Sequence, residues 1–231
     1  MAKLPDAELA EMAVAGAQVL ECYRVLQKTN SNVVAEVIKD GGTFYEYDHY
    51  PKGDVYDNET HSQYFYHAHR PKEHGHFHTF LRKDGMPRNC NPVKQSKAPF
   101  MDNRDDTISH IIGISMNRSG YPTRLFTTNR WITADNWYAA DDVIKMLDRF
   151  HMDLAWPSWP VNIWLTAMLR LFRPQIIELV HERDAAARRW QESHPGVDVF
   201  EDRDFDIASV RRISVEAQIE RVNVALHRVA A

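Results

Sequence analysis

The chain is predicted to fold as α+β, with a mostly antiparallel sheet drawn from its middle and helices from both ends packed on it. Three observations predict this. Apolar residues recur at helical spacing before residue 40 and after residue 135. Residues 43–131 are instead rich in aromatic, β-branched and His residues. Turn chemistry separates the apolar runs of that middle segment. The 231 residues, 44% hydrophobic and 26% charged, suffice for a real core, and the three segments are read as a single domain, 1–231.

Pro5 and Asp6 open a first amphipathic helix carrying Leu9, Met12, Ala13, Leu20 and Tyr23, which ends near Lys28 before the polar run Thr29 to Asn32. A shorter helix, Val33 to Lys39, stops at Asp40-Gly41-Gly42. Two strands are expected at Gln63–Arg70 and His76–Arg82, followed by a polar loop from Lys83 to Thr107. A second strand pair, Ile108–Met116 and Thr123–Trp131, flanks the turn-forming segment Asn117 to Pro122. Thr133-Ala134-Asp135 offers an N-cap for a helix to about Phe150. Pro160 and Pro174 suit the first turns of two further helices, through Phe172 and from Gln175 to Ser193. Phe205 to Ile213 reads as a late strand. Val215, Ile219, Val222, Leu226 and Val229 form the single apolar stripe of a last helix.

Charge narrows the classes of function. Lys plus Arg is 28 against 32 for Asp plus Glu, a net charge of −4, so no global field favours nucleic acid or an anionic membrane. The partner expected is a small-molecule substrate, with no nucleic acid and no membrane; the oligomeric state stays open. The N-terminal residues lack a basic and then apolar leader, and the most apolar stretch, Val161 to Phe172, is too short to span a bilayer, so a cytoplasmic protein is expected. Cys22 and Cys90 have no metal-site or redox spacing.

Histidine carries the chemical signal. Seven of the 12 histidines fall between His49 and His78. His67-Ala68-His69 and His76-Phe77-His78 are mirror images about one point of the chain, so a hairpin folded there sets His67 opposite His78 and His69 opposite His76. Period-two alternation places all four on one face. Opposed Cβ atoms lie about 4.5–5.5 Å apart, from which imidazole nitrogens can converge on one ion. The same register puts Phe65 opposite Phe80 on the His face and Tyr64, Tyr66, Phe77 and Leu81 on the other, so both faces are expected to be covered. Neutral imidazoles on a covered face need partners, and as cations they would repel one another; a divalent metal resolves both difficulties. A satisfied structural network and a pH-sensitive patch are the competing readings.

His67, His69 and Glu73 reproduce the HxHxxxE part of the first cupin motif, in which two His and a Glu bind iron, manganese, nickel or zinc; the preceding glycine and a second-motif histidine are missing. His76 and His78 with a histidine from an adjacent strand are similar in layout to the three-His zinc site of carbonic anhydrases. The His hairpin, the segment Arg124 to Trp131 and the helical last third together resemble an uncharacterised bacterial family of unknown function. That resemblance implies no activity.

Other candidates are sparser. Glu178 and His181 form one ExxH unit, where di-iron bundles need two. His110 shares strand parity with Ile112, Ile114 and Met116 and could add a ligand. Arg124 and Arg130 share parity beside Asn129 and Trp131 and could clamp an acid group. Nucleotide, dinucleotide and serine-hydrolase motifs are missing. The expectation is a metal-dependent enzyme with a mononuclear site of three or four of His67, His69, His76 and His78. Iron(II) is favoured, then zinc or copper, for oxidation of a small organic substrate. Phe65, Phe80 and Trp131 would keep the pocket dry, Arg124 or Arg130 would hold an acid group, and Glu73 or His74 would move protons. The alternatives are a non-catalytic transition-metal or haem binder and a zinc hydrolase or lyase.

Overall fold

The computed structural model describes residues 4–70, 73–93 and 107–229. Helices α1 (Asp6–Gln27) and α2 (Val33–Ile38) lead into strands β1 (Tyr50–Tyr56), β2 (Ser62–His67), β3 (Gly75–Arg82), β4 (Ile108–Met116) and β5 (Pro122–Thr128). Helices α3 (Arg130–Thr133), α4 (Ala140–Leu147), α5 (Trp159–Leu171) and α6 (Arg173–Ser193) follow, then β6 (Ile207–Arg212) and α7 (Val215–Val229). The six strands form one antiparallel sheet in sequential order, β1 to β6, with the helices from both ends of the chain packed on it. The fold is α+β. A cupin's two-sheet jelly roll is a different architecture. Among the described residues, no helix is long and apolar enough to cross a membrane.

The apolar spacing of α1 is its packing face, since Leu9, Met12, Ala15, Val19, Cys22 and Leu26 are all buried. Asn32 caps α2 by accepting hydrogen bonds from the Val34 and Ala35 amides, both at 3.0 Å. One face of the sheet, built from Tyr64, Tyr66, Phe77, Leu81, Ile112, Ile114, Met116 and Leu125, joins the helices in a continuous core. Phe77 meets Trp164 of α5, and the Tyr64 hydroxyl donates to Asn162 Oδ1 at 2.6 Å. The alternate residues of the same strands, Phe65, His67, His76, His78, Phe80 and Phe126, line the opposite face and are buried as well. Tyr47 and His49, from the segment before β1, cover part of it by stacking on His69 and Phe65.

Several sequence expectations are corrected. The hairpin register is displaced by two residues: His67 lies opposite His76, Phe65 opposite His78, and Gln63 opposite Phe80. Strand β2 ends at His67 because Ala68 gives its carbonyl to the Tyr47 amide, at 3.0 Å, instead of to β3. Gly75 then crosses so close to the end of β2 that a Cβ there would sit 2.6 Å from the His67 carbonyl oxygen and 2.4 Å from the Tyr66 hydroxyl. Because a two-residue displacement preserves parity, the histidines keep their common face.

Strand β1, which is not among the expected strands, forms despite Pro51, Gly53 and a break in register between Tyr50 and Val55. Strand β5 stops at Thr128, since Asn129 caps α3 through the Arg130 amide, so Arg130 and Trp131 are helical residues and not strand neighbours of Arg124. The Thr133–Asp135 cap is also replaced: Ala134 is left-handed at the end of α3, and Asp135 Oδ2 accepts from the His110 amide at 2.8 Å, so the next helix begins at Ala140. Finally, β4 does not keep the parity expected of His110. Thr79 pairs with Ile112 and Phe80 with His110, leaving Ile111 as a bulge that turns His110 away from Ile112 and Ile114. Within the predicted polar loop, 94–106 lie outside the described residues.

Candidate metal centre

Strands β2 and β3 deliver His67 and His76 as a directly opposed pair, with Nε2 of one 2.7 Å from Nε2 of the other. His69 follows β2 by two residues and turns back over them, its ring centroid 4.8 Å from that of His67 and 5.0 Å from that of His76. One nitrogen from each of the three lies within 4.8 Å of the others. Two nitrogens bound to one metal at about 2.1 Å stand about 3.0–3.4 Å apart, so His67 and His76 need to part by only a few tenths of an ångström. His76 is fully buried and its Nδ1 meets Glu73 Oε1 at 2.5 Å. A carboxylate there accepts a hydrogen bond from Nδ1–H and leaves Nε2 as a lone-pair donor, the arrangement that orients metal-binding imidazoles.

The electrostatics keep these rings neutral. Burial, with the neighbouring His76, His69, His49 and Arg70 adding to it, pushes His67 down to about 2. Burial likewise lowers His76, against the opposing pull of Glu73, and lowers half-exposed His69. For Glu73 burial works upward, but the His76 hydrogen bond and charge, the Ser115 hydroxyl and Arg70 hold it below the usual carboxylate range. Neutral imidazoles beside an ionised carboxylate are the protonation states a cation requires.

His78 stands one step further along β3, its ring centroid 4.9 Å from that of His76. Its Nδ1 meets His110 Nε2 at 2.9 Å, which the Ile111 bulge makes possible. Its Nε2 is buried with no hydrogen-bond partner among the described residues. Burial holds His78 well below its ordinary value and His110 down to about 3. Phe65 and Phe80 stack at 5.5 Å on the same face, and Phe126 sets its ring edge-on to His76 and His78, at 5.3 and 5.6 Å. Gly113 makes room for Phe126: a Cβ there would lie 2.3 Å from the phenyl ring.

The other candidates are placed elsewhere. His74 meets the Tyr66 hydroxyl at 2.7 Å and stacks near Phe44, on the helical side of the hairpin, so the shuttle role expected of it lacks the geometry. Arg130 pairs with Glu201. Trp131 donates to the Phe205 carbonyl at 3.0 Å and lies under Arg203. Arg124 does stay on the His face, in the row that runs His67, His76, Ser115, Arg124 across four strands. Glu178 is taken by Arg211, and His181 is exposed. Sequence reading missed Arg70, whose guanidinium lies 4.5 Å over Phe126, and His49, stacked at 3.6 Å on Phe65. Nothing local in the sequence pointed to Arg70.

No curated protein and no solved structure matches the chain. The sequence model of one family does, over residues 13–213, a span that holds the six strands, the histidine face, most of α1 and helices α2 to α6. The chain therefore belongs to DUF6969, a family described as a domain of unknown function.

Proposed function

We propose that the protein is a metal-dependent enzyme whose mononuclear transition-metal site is formed by His67, His69 and His76. The reading is carried by one observation: two buried imidazole Nε2 atoms 2.7 Å apart, with a third histidine beside them and Glu73 on the far nitrogen of His76. Three protein ligands leave at least one coordination position open, as catalytic sites do and closed structural sites do not. A facial set of three imidazoles suits iron(II), zinc or copper. Iron and oxidation of a small organic substrate are favoured here because Phe65, Phe80 and Phe126 wall the site with apolar surface. In addition, the carboxylate a zinc hydrolase would use as base, Glu73, is committed to Nδ1 of His76.

A non-catalytic metal binder is the second reading, favoured by a specific atom. His78 Nε2, buried and unpartnered, could close the shell as a fourth imidazole. Metal analysis of protein purified without a His tag, under both aerobic and anaerobic conditions, tests the proposal. About one equivalent of metal is expected, lost in His67→Ala and His76→Ala and retained in His78→Ala. Absence of stoichiometric metal under both conditions, from protein with a native thermal transition, would overturn it. Loss of metal in His78→Ala as well would favour the closed, non-catalytic site.

A further inference from the structure

Arg70 is a cation set among neutral rings. The centre of its guanidinium lies over Phe126, 4.5 Å from the ring centroid, and that same ring abuts His76 and His78. Nη2 is shielded from solvent and has no hydrogen-bond partner among the described residues. Two carboxylates, Glu73 and Asp206, act on Arg70 through space. The first already bonds to His76, and the second belongs to an exposed residue. A shielded guanidinium N–H without an acceptor is costly, and removing the partner-less state by supplying an oxyanion is the obvious release. Positive charge continues along this face. Arg124 stands two strands from His76, about 10 Å at ordinary strand spacing, with Arg212 opposite it on β6.

We infer that Arg70 anchors an anionic substrate, a small organic acid whose carboxylate pairs with the guanidinium while the rest of the molecule reaches the histidine site. The inference rests on the metal-site reading for what the acid is brought to, but not for the anion contact itself. A carboxylate pairs with a guanidinium edge-on, through two parallel N–H donors, and Nη2 is the donor of Arg70 that lacks an acceptor among the described residues. Arg70 thereby takes the role that the sequence assigned to Arg124 and Arg130. Arg130 is withdrawn by Glu201, whereas Arg124 remains as a second positive charge further along the row.

Cobalt(II)-loaded protein gives the test, with oxalate as the anionic probe and imidazole as a neutral one, each followed by the visible cobalt absorption. Arg70→Ala is expected to take up the same cobalt as wild type, bind oxalate at least tenfold more weakly, and bind imidazole unchanged. Arg70→Lys, which keeps the charge and stem, serves if the alanine variant does not fold, and is expected to weaken oxalate binding at least threefold because it loses the planar fork. Oxalate affinity within twofold of wild type in the folded variant would overturn the inference. If wild type binds no cobalt, the metal reading fails separately. The anion site is then judged by calorimetric titration of metal-free protein with oxalate. Heat lost in Arg70→Ala upholds it; equal heats, or none in wild type, overturn it.

Discussion

The two faces of the hairpin β2–β3 are made from alternate residues of the same dozen positions, yet they do opposite things. On the helical side Tyr64, Tyr66, Phe77 and Leu81 enter one continuous core, and even the Tyr64 hydroxyl has a partner in Asn162. On the other side His67, His76 and His78 are as thoroughly buried, but His78 Nε2 and Arg70 Nη2 are left without partners. Burial alone therefore does not separate the two faces of the hairpin; the polar atoms of its own side chains do, although the core behind it also holds Trp164 Nε1 and the Tyr23 hydroxyl without partners among the described residues. The helical side supplies stability, and the histidine side spends part of it on groups held ready for something else.

If the comparison is right, truncation should hurt unequally. Phe77→Ala, on the helical side, is expected to cost about 3–5 kcal/mol in urea unfolding, the range for a buried aromatic. A loss below about 1 kcal/mol would erase the distinction between the faces. Gly113→Ala should cost about 1–3 kcal/mol, since the new methyl must displace the Phe126 ring, and its near-ultraviolet dichroism should change with it. Glu73→Gln should leave the urea midpoint within experimental scatter of wild type while weakening metal binding tenfold to a hundredfold, because Gln cannot hold the Nδ1 proton of His76 as firmly. Metal affinity equal to wild type would mean that the carboxylate does not orient the ring.

Acid gives the smallest effect per step and the sharpest sign. Burial pushes His110 down to about 3 in the folded protein, against an ordinary value near 6.5. Above 6.5 folded and unfolded chains are both neutral at this ring, and its contribution to stability is complete. As the pH falls below 6.5 the unfolded chain gains a proton that the fold refuses, so stability drops by about 1.4 kcal/mol per pH unit until the folded value is reached. His110→Phe should show a shallower loss of urea midpoint between pH 6.5 and 5 than wild type. Equal slopes would place His110 in contact with solvent or a proton acceptor.

What could be read from the sequence follows the range over which each signal acts. The helices α1, α5, α6 and α7 were legible because helical periodicity is local and repeated over many residues. The common face of His67, His76 and His78 was legible for a stronger reason: strand parity survives any even displacement of register. The register itself was not, because it depends on Ala68 bonding to Tyr47, a contact with a covering segment some twenty residues away in sequence. The end of β5 was misplaced because the β-branched and aromatic residues from Leu125 to Trp131 look like strand, while Asn129 is engaged by the 198–206 region as well as by α3. Arg70 and His49 reach the site from loops, where no period announces which way a side chain turns.

The bulge at Ile111 has a consequence for how β4 can vary in length. With Ile111 present, the helical core receives two consecutive isoleucines, 111 and 112, while His110 still lies opposite Phe80. Removing Ile111 would restore a regular ladder with His110 still opposite Phe80, at the expense of one buried side chain. Removing a residue between Ile112 and Met116 would instead carry His110 across the sheet into the helices. A deletion at Ile111 thus trades stability and leaves the facing of every histidine untouched, and a chain shortened there should still bind whatever the histidine face binds.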